Sequence, residues 1–258
     1  MAGVTHVIEH RAVQYRRTFR SSVFTSFLTP LLFLTAMGIG LGGYVNASST
    51  AALGGVSYLQ FLAPGLLVAT SMQSAAFEAT FPIMSGLVWN KVYHAMYATP
   101  ITPRDIAIGN LFWIVTRLTL ICSVFTFVIV LFGAAASWQI VFAIPAAVLT
   151  GMAFAGPIAA FSATQYTPNR FATIFRFGIT PLFLLSGTFY PLDNLPAILQ
   201  ALAWLTPLYH GVALTRGLSL GTAGEEPLLM LVHVAVLLAF AIGGSLATIV
   251  TIQRRMIK

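Results

Sequence analysis

Charge is scarce in this sequence, and acidic charge is scarcest. Aspartate, glutamate, lysine and arginine together make up 7% of the 258 residues, and 58% are hydrophobic. A soluble domain carries roughly 25% charged residues, so this composition is typical of a membrane protein. The 6 acidic residues are outnumbered by 13 basic ones. Cys122 is the single cysteine, which excludes an internal disulfide.

Motifs for chemistry are also missing. The sequence has no GxxxxGK[ST] phosphate loop, so it cannot bind ATP in the usual way. The five histidines are scattered, and no cysteine or histidine cluster has metal-ligand spacing. A nucleophile, a base and an orienting acid do not occur together at one depth. We therefore predict a chain that is not an enzyme, with no catalytic residue, no metal and no cofactor of its own.

Long apolar segments dominate the chain. A bilayer core of about 30 Å needs about 20 apolar residues per helix, whereas barrel strands alternate over about 10 residues. The sequence thus predicts an all-α membrane protein, with residues 1–258 forming a single domain of six transmembrane helices. The predicted spans are Val23–Gly43, Phe61–Phe81, Ile106–Phe132, Ile140–Ala163, Phe171–Tyr190 and Leu228–Ile252.

The basic residues predict the orientation. With both termini inside, the cytoplasmic segments hold Arg11, Arg16, Arg17, Arg20, Lys91, Arg104, Arg170, Arg176, Arg254, Arg255 and Lys258, while Arg216 lies outside. This follows the positive-inside rule and indicates a multi-pass protein of the cytoplasmic membrane, whose positive charge meets membrane lipid rather than nucleic acid.

The basic leader, residues 1–20, has an apolar stripe. Ile8, Ala12, Tyr15 and Phe19 are spaced to share one helix face. This favours an amphipathic interfacial helix, and the alternative is a plain basic topology signal.

The segment Trp89–Asp105 is a polar, basic joint between the second and third spans. It has room for about two helical turns before a break at Pro100 and Pro103. A bare turn needs fewer residues, so we predict a helix that docks a partner on the cytoplasmic side.

The outer stretch Gly187–Pro227 is too apolar for a solvated loop and too broken by prolines for a span. It predicts two short helices, Ala197–Leu205 and Leu208–Leu218, which re-enter the bundle because neither can cross the membrane. We expect them to close the extracellular end, with their apolar faces, including Leu199, Leu202 and Trp204, shielded from water.

Glu78 and Arg117 are the ionisable residues that we place inside spans. At 1.5 Å per residue they lie about 12 Å and about 17 Å from the cytoplasmic ends of neighbouring antiparallel helices. Since an isolated charge in the membrane is costly, we predict that they form an ion pair. The alternative is that Glu78 reaches the surface and Arg117 binds carbonyls or a partner subunit.

The order of these elements resembles that of the ABC type-2 permeases, the membrane subunits of ATP-driven exporters. Within that family the chain looks most like the drug and nodulation-factor (lipo-chitooligosaccharide) exporter permeases. The resemblance covers the whole chain, and its motifs are Tyr58–Gly65 (YLQFLAPG), Glu78, Trp89–Tyr97 followed by Ala98-Thr99-Pro100, Gly109, Gly187, Phe189, Tyr190-Pro191, Leu195-Pro196, Pro207 and Arg216.

The resemblance implies that two permeases pair, as identical copies or paralogues, above two separate ATPase subunits that hold ATP and Mg²⁺. The helix at Val88–Ala98 would be the coupling helix. The implied ATPase contacts are Trp89, Lys91, Tyr93, His94, Tyr97, Thr99 and Pro100. The residues that we expect in the extracellular gate are Tyr190, Pro191, Leu199, Trp204 and Pro207. Many relatives carry acidic residues in the joint, and Trp89-Asn90-Lys91 has none, so the docking ATPase should present more negative charge than usual.

These observations predict the permease subunit of an exporter that moves a drug, lipid or glycolipid outward. One alternative is a lipid-linked glycan exporter of the same architecture. Two others are a membrane-embedded enzyme, which would need a polar cluster at one depth, and a non-transporting assembly or sensor protein. A neighbouring gene with a phosphate-binding loop would favour transport.

Overall fold

The computed structural model of the chain describes residues 2–48, 53 and 55–257, and in this part of the chain the regular structure is helical, without strands. The α-helices are α1 (Ala2–Arg16), α2 (Phe19–Phe33), α3 (Gly42–Ser48), α4 (Tyr58–Met84), α5 (Val92–Tyr97), α6 (Pro103–Leu131), α7 (Ile140–Thr164), α8 (Asn169–Ile174), α9 (Thr180–Leu185), α10 (Ala197–Trp204), α11 (Pro207–Leu220) and α12 (Pro227–Ile257).

Among the described residues, two π-helical segments join α-helices into continuous runs and a third extends the end of α4. They are Leu34–Leu41 between α2 and α3, Ser85–Trp89 at the end of α4, and Phe175–Ile179 between α8 and α9. The helical runs 19–48 and 169–185 are therefore each continuous, which matches the single segments predicted there.

Capping residues mark the N-termini of the two long helices that flank the joint. Ser57 caps α4 in a reciprocal capping box with Gln60, and Thr102 caps α6 in the same way with Asp105. The predicted break lies between the end of α5 at Tyr97 and the start of α6. Pro103 occupies the first turn of α6, where proline is tolerated because its missing N–H would have no helical partner.

Within the described part of the chain, four helices are long and apolar enough to cross a membrane: Phe27–Asn46, α6, α7 and α12. The bent pair α10 and α11 would make a fifth if it crossed as one span. The predicted second and fifth spans are helical, but α4 is less apolar and the run 169–185 is shorter than these four.

The predicted ends of the fifth and sixth spans each differ from the structure by five residues. The fifth ends at Leu185 rather than Tyr190, because the chain turns at Gly187, whose φ of 77° leaves the helical region. The sixth continues to Ile257, five residues beyond Ile252, and ends with the basic pair Arg254 and Arg255 in its last turn.

The leader is helical over Ala2–Arg16, so Phe19 begins the next helix and does not extend the predicted stripe. One face of α1 packs on the start of α6. Val7 is 1% exposed and lies over Gly109, where a Cβ atom would come within 2.7 Å of the Val7 side chain. The leader is therefore packed against protein on this face.

Helix α7 is the centre of the bundle and packs against α4, α6, α11 and α12. At its crossing with α12, a Cβ on Gly156 would lie 2.7 Å from the Gly244 carbonyl carbon, so the two backbones touch. The Thr248 hydroxyl donates to the Gly156 carbonyl at 2.7 Å. Small residues and a hydrogen bond between helices are how membrane helices associate closely.

We expect Gly244→Ala to destabilise the bundle by about 1–3 kcal/mol, because the added methyl collides with the ring of Pro157. Gly243→Ala is the matched control, since nothing lies within 4 Å of a Cβ at the neighbouring position. Thermal unfolding in detergent measures both. Equal midpoints for the two variants would contradict the close crossing.

Candidate functional site

The helix of the joint is shorter than predicted. Helix α5 covers Val92–Tyr97 rather than Val88–Ala98, because Trp89 still belongs to the π turn that extends α4. Lys91 then adopts a left-handed conformation with φ 51°, the only non-glycine residue with positive φ in the described part of the chain. That residue turns the chain away from α4 and starts the new helix.

Tyr93 is an anchor of the joint and not a surface contact, which corrects the expectation that it faces the ATPase. Its side chain is 2% exposed and fills the space above Gly86, where any Cβ would collide with the ring. Its hydroxyl donates to the Asn110 side-chain oxygen at 2.8 Å. Burial raises the pKa of Tyr93 above its ordinary value, so the phenol remains protonated and keeps this bond.

Arg11 of α1 completes the anchor. Its Nη2 atom donates to the Tyr93 hydroxyl at 2.7 Å, and its Nε atom donates to the Asn110 oxygen at 3.0 Å. Asn110 is held in turn by its own donation to the Ile106 carbonyl at 2.7 Å. Three separate parts of the sequence thus meet below the joint. Sequence reasoning missed Arg11 and Asn110, although a buried asparagine near a span end could have signalled such a network.

The other predicted joint residues are exposed, and Trp89 and Tyr97 retain 50% and 44% of their accessible surface. The Thr99 hydroxyl donates to the Met96 carbonyl at 2.6 Å, which closes the end of α5. We call the exposed set the docking joint; it consists of Trp89, Lys91, His94, Tyr97, Thr99 and Pro100.

The structure brings Glu78 and Arg117 together. The Arg117 Nε atom lies 3.2 Å from Glu78 Oε1, and the two side chains keep only 13% and 15% of their exposure. The guanidinium also lies 4.2 Å from the centre of the Tyr15 ring, so α1 contributes to this site.

A cavity of about 430 Å³ opens beside the ion pair, between α2, α4, α6 and α9. Thr70, Gln73, Ser74 and Glu78 share one face of α4 and supply its polar side, as their three- and four-residue spacing allows. Its apolar wall includes four aromatic rings. These belong to Phe33, Phe77, Phe125 and Phe183. The volume and the mixture of apolar walls with few polar groups suit a drug-sized amphipathic molecule. Sequence reasoning found only the ion pair.

The outer stretch contains two short helices, near the predicted bounds. Helices α10 and α11 meet at an angle of 85°, and we call them the outer hairpin. Thr206 caps α11, and Pro207 occupies its first turn and is buried. The Trp204 ring packs on Tyr209 at 5.5 Å between centroids.

The exposure of the remaining predicted gate residues varies. Leu199 is half-buried, Leu202 and Trp204 keep 53% and 46% of their accessible surface on the isolated chain, and Ala203 is the buried residue of α10. Tyr190 and Pro191 precede the hairpin. The Tyr190 hydroxyl donates to the Leu184 carbonyl at 2.9 Å, and Pro191 caps a single 3₁₀ turn.

Arg216, which we assigned to the extracellular side, is held by other segments of the protein. Its guanidinium lies 3.7 Å from the centre of the Phe61 ring and donates to the Phe61 carbonyl at 3.2 Å. A further bond reaches the Gly187 carbonyl at 2.8 Å. Arg216 therefore fastens α11 to α4 and to the turn that ends the fifth segment. Among the described residues, no three His, Cys, Asp or Glu side chains could hold a metal ion together.

Comparisons with known proteins agree with this architecture. The family model described as ABC-2 type transporter matches residues 5–220. Nodulation protein J of Rhizobium leguminosarum bv. viciae is 27% identical over 95% of this chain and 91% of its own length. Nodulation protein J of Rhizobium leguminosarum bv. trifolii is 30% identical over 81% and 78%.

A more distant relative comes from another group of bacteria. The daunorubicin resistance ABC transporter permease protein of Streptomyces coeruleorubidus is 25% identical over 86% of this chain and 76% of its own length. The family match covers most of the chain, including the joint, the ion pair and the outer hairpin. The chain belongs to the ABC-2 type transporter family and is a membrane permease.

Proposed function

We propose that this permease is the membrane subunit of an ATP-driven exporter that moves a hydrophobic or amphipathic substrate outward across the cytoplasmic membrane. Two separate ATPase subunits dock beneath it and carry ATP and Mg²⁺, and a second permease, identical or paralogous, completes the path.

The docking joint is the observation that carries this proposal. It exposes two large aromatic side chains, Trp89 and Tyr97, next to a cation, and aromatic residues are enriched in protein interfaces. Its base is rigid, because Tyr93 is bonded to both Arg11 and Asn110. A displacement of the exposed surface is therefore transmitted to α1 and α6 rather than absorbed by a flexible loop. Since Trp89–Pro100 has no acidic residue, the matching ATPase surface is acidic.

Six crossings with both termini inside are the topology that fits this arrangement. In that topology α4 and the run 169–185 cross the membrane although they are less apolar or shorter than the other four, because both pack against other helices of the bundle. The basic ends of α1 and α12 then meet the anionic inner leaflet.

The substrate class is inferred from the cavity. A volume of about 430 Å³ holds one drug-sized molecule or part of a lipid, and not an extended glycan chain. Its aromatic wall suits an apolar body, and the polar face of α4 suits a headgroup. A relative named for daunorubicin resistance supports a drug as one such molecule. The cavity favours a drug or a lipid over the lipid-linked glycan exporter.

The outer hairpin is placed in this proposal at the extracellular end of the path. Its two helices are too short to cross the membrane, and Arg216 ties α11 to the turn at Gly187. Such a pair closes the outer end in the resting state.

We propose further that the Glu78–Arg117 ion pair locks the second and third spans. Glu78→Arg and Arg117→Glu should each impair assembly, because either leaves two like charges beside each other in a low-dielectric site. The double exchange should restore assembled permease, measured by size-exclusion chromatography after solubilisation. A double exchange no better than either single change would remove the lock.

The docking role is tested by exposed residues of the joint. His94→Ala with Tyr97→Ala should leave membrane insertion unchanged and lower substrate-stimulated ATP hydrolysis by about tenfold, the effect of losing about 1.4 kcal/mol of interface energy. Tyr44→Ala is the matched control, because Tyr44 is 81% exposed and lies outside the joint. Wild-type hydrolysis by the assembled double variant would show that the joint does not couple the ATPase.

A further inference from the structure

Two histidines meet inside the bundle at the bend of the outer hairpin. His210 lies in the first turn of α11 and His233 in the second turn of α12, and they are 2% and 1% exposed. Their Nδ1 atoms are 2.7 Å apart, and His210 Nε2 lies 2.9 Å from the carbonyl oxygen of Trp204. We call these three groups the histidine latch. They join the end of α10, the start of α11 and α12.

The chemistry of the latch fixes where its protons are. The Trp204 carbonyl can only accept, so His210 must donate from Nε2. A neutral His210 then accepts at Nδ1, and His233 must donate from its own Nδ1. The carbonyl of Trp204 belongs to the last turn of α10, where carbonyls lack helical partners. The latch therefore satisfies a helix end and fixes the bend.

We propose that the histidine latch is a proton-binding site that holds the outer hairpin closed while it is neutral and releases it when protons bind. A doubly protonated latch cannot keep the bond, because both facing nitrogen atoms would then carry hydrogen. In the closed state each added charge would also be buried without an opposite charge. In an open, hydrated hairpin both rings titrate near their ordinary value of about 6.5.

The sign of the pH effect follows from these two states. The open state binds more protons than the closed state, and falling pH favours the state that binds more protons. Opening is thus favoured as the pH falls through about 6.5 and is suppressed above it. The population of the open state relative to the closed state can rise by at most about tenfold per pH unit for each proton taken up.

The surroundings of the latch leave it as the titrating unit. Tyr209 is the titratable side chain in ring contact with both histidines, at 5.4 Å from His210 and 5.8 Å from His233 between centroids. Helix α7, which packs on α11 and α12, has no ionisable residue. Other ionisable groups lie on the packed or adjoining segments, and no contact between described residues joins them to the latch. They are Tyr58 and Glu78 on α4, Arg104, Asp105, Arg117 and Cys122 on α6, Tyr190 and Asp193 before α10, Arg216 on α11, Glu225 and Glu226 before α12, and Arg254 and Arg255 at the far end of α12.

A labelling experiment on the full-length permease in lipid nanodiscs tests the latch. Ala203→Cys reports opening, because Ala203 is 4% exposed on α10, and Ile198→Cys on the same helix is the reference, because Ile198 is 76% exposed. Both are made with Cys122→Ala and labelled with a charged maleimide. The labelling rate of Ala203→Cys is divided by that of Ile198→Cys, and this ratio cancels the intrinsic effect of pH on thiol reactivity. We expect this ratio to rise about tenfold between pH 7.5 and pH 5.5.

Three variants separate the latch from a purely structural role. His233→Leu removes the donor and should give a high ratio already at pH 7.5. His233→Asn keeps an N–H near the Nδ1 position but does not titrate, so the ratio should stay low at pH 7.5 and respond less to acid. His6→Asn is the control, because His6 is exposed on α1 and should behave as the wild type.

A wild-type ratio that does not change with pH would overturn the proposal, as would a low ratio for a folded His233→Leu. If His233→Leu does not fold, the pH response of the wild type and of His233→Asn still decides. The role of the latch in transport rests on the proposed export function. The labelling uses neither ATPase nor substrate, so its failure would leave that function to be judged by the docking-joint variants.

Discussion

The close packing of small residues along α7 is the constraint on which the rest of the bundle depends. In a membrane the hydrophobic effect does not drive helices together, so their association depends on complementary shape and on hydrogen bonds between helices. Gly156 meets the backbone of α12, and the Ser71 hydroxyl of α4 donates to the Ala147 carbonyl at 2.7 Å. With α4 and α12 held to one central helix, the cavity on the far side of α4 has a fixed wall.

The arginines that enter the protein are all held by more than one group. Arg216 binds two carbonyls and a phenylalanine ring, and Arg255 donates to the Ala163 and Gln165 carbonyls at the end of α7. Arg11 binds an amide and a phenol. Each of these bonds joins segments that are distant in sequence. These arginines therefore connect helices, a role additional to the positive-inside rule that the basic residues at the helix ends follow.

The sequence predicted well what is local and poorly what depends on distant contacts. The bounds of α6 and α7 follow from apolar length and from capping at Thr102, and they fall within a few residues of the prediction. The pairing of Glu78 with Arg117 was predicted from their depth in the membrane, because residues at similar depth on neighbouring antiparallel helices lie side by side. The burial of Tyr93 was not predictable, because it depends on a gap at Gly86 and on Arg11, which is 82 residues away in sequence.

Other contacts were not predicted for similar reasons. The packing of the basic leader on α6 depends on Gly109, which lets Val7 approach, and that fit is a matter of three-dimensional shape. The contacts of Arg216 were likewise not predictable, because they depend on carbonyls at Phe61 and Gly187, which belong to two other segments. The cavity combines residues from four helices, and no single segment of sequence describes it.

The central position of α7 has a consequence for biosynthesis. A nascent chain emerges in order, so α4, α6 and α7 can assemble as they are inserted, whereas α12 follows every other partner of α7. Until α12 arrives, the glycine surface around Gly156 and the carbonyls at the end of α7 have no protein neighbour on that side. The insertion machinery or lipid must cover them during this interval. If synthesis stopped before α12, a membrane-buried surface prone to association would be exposed to quality control.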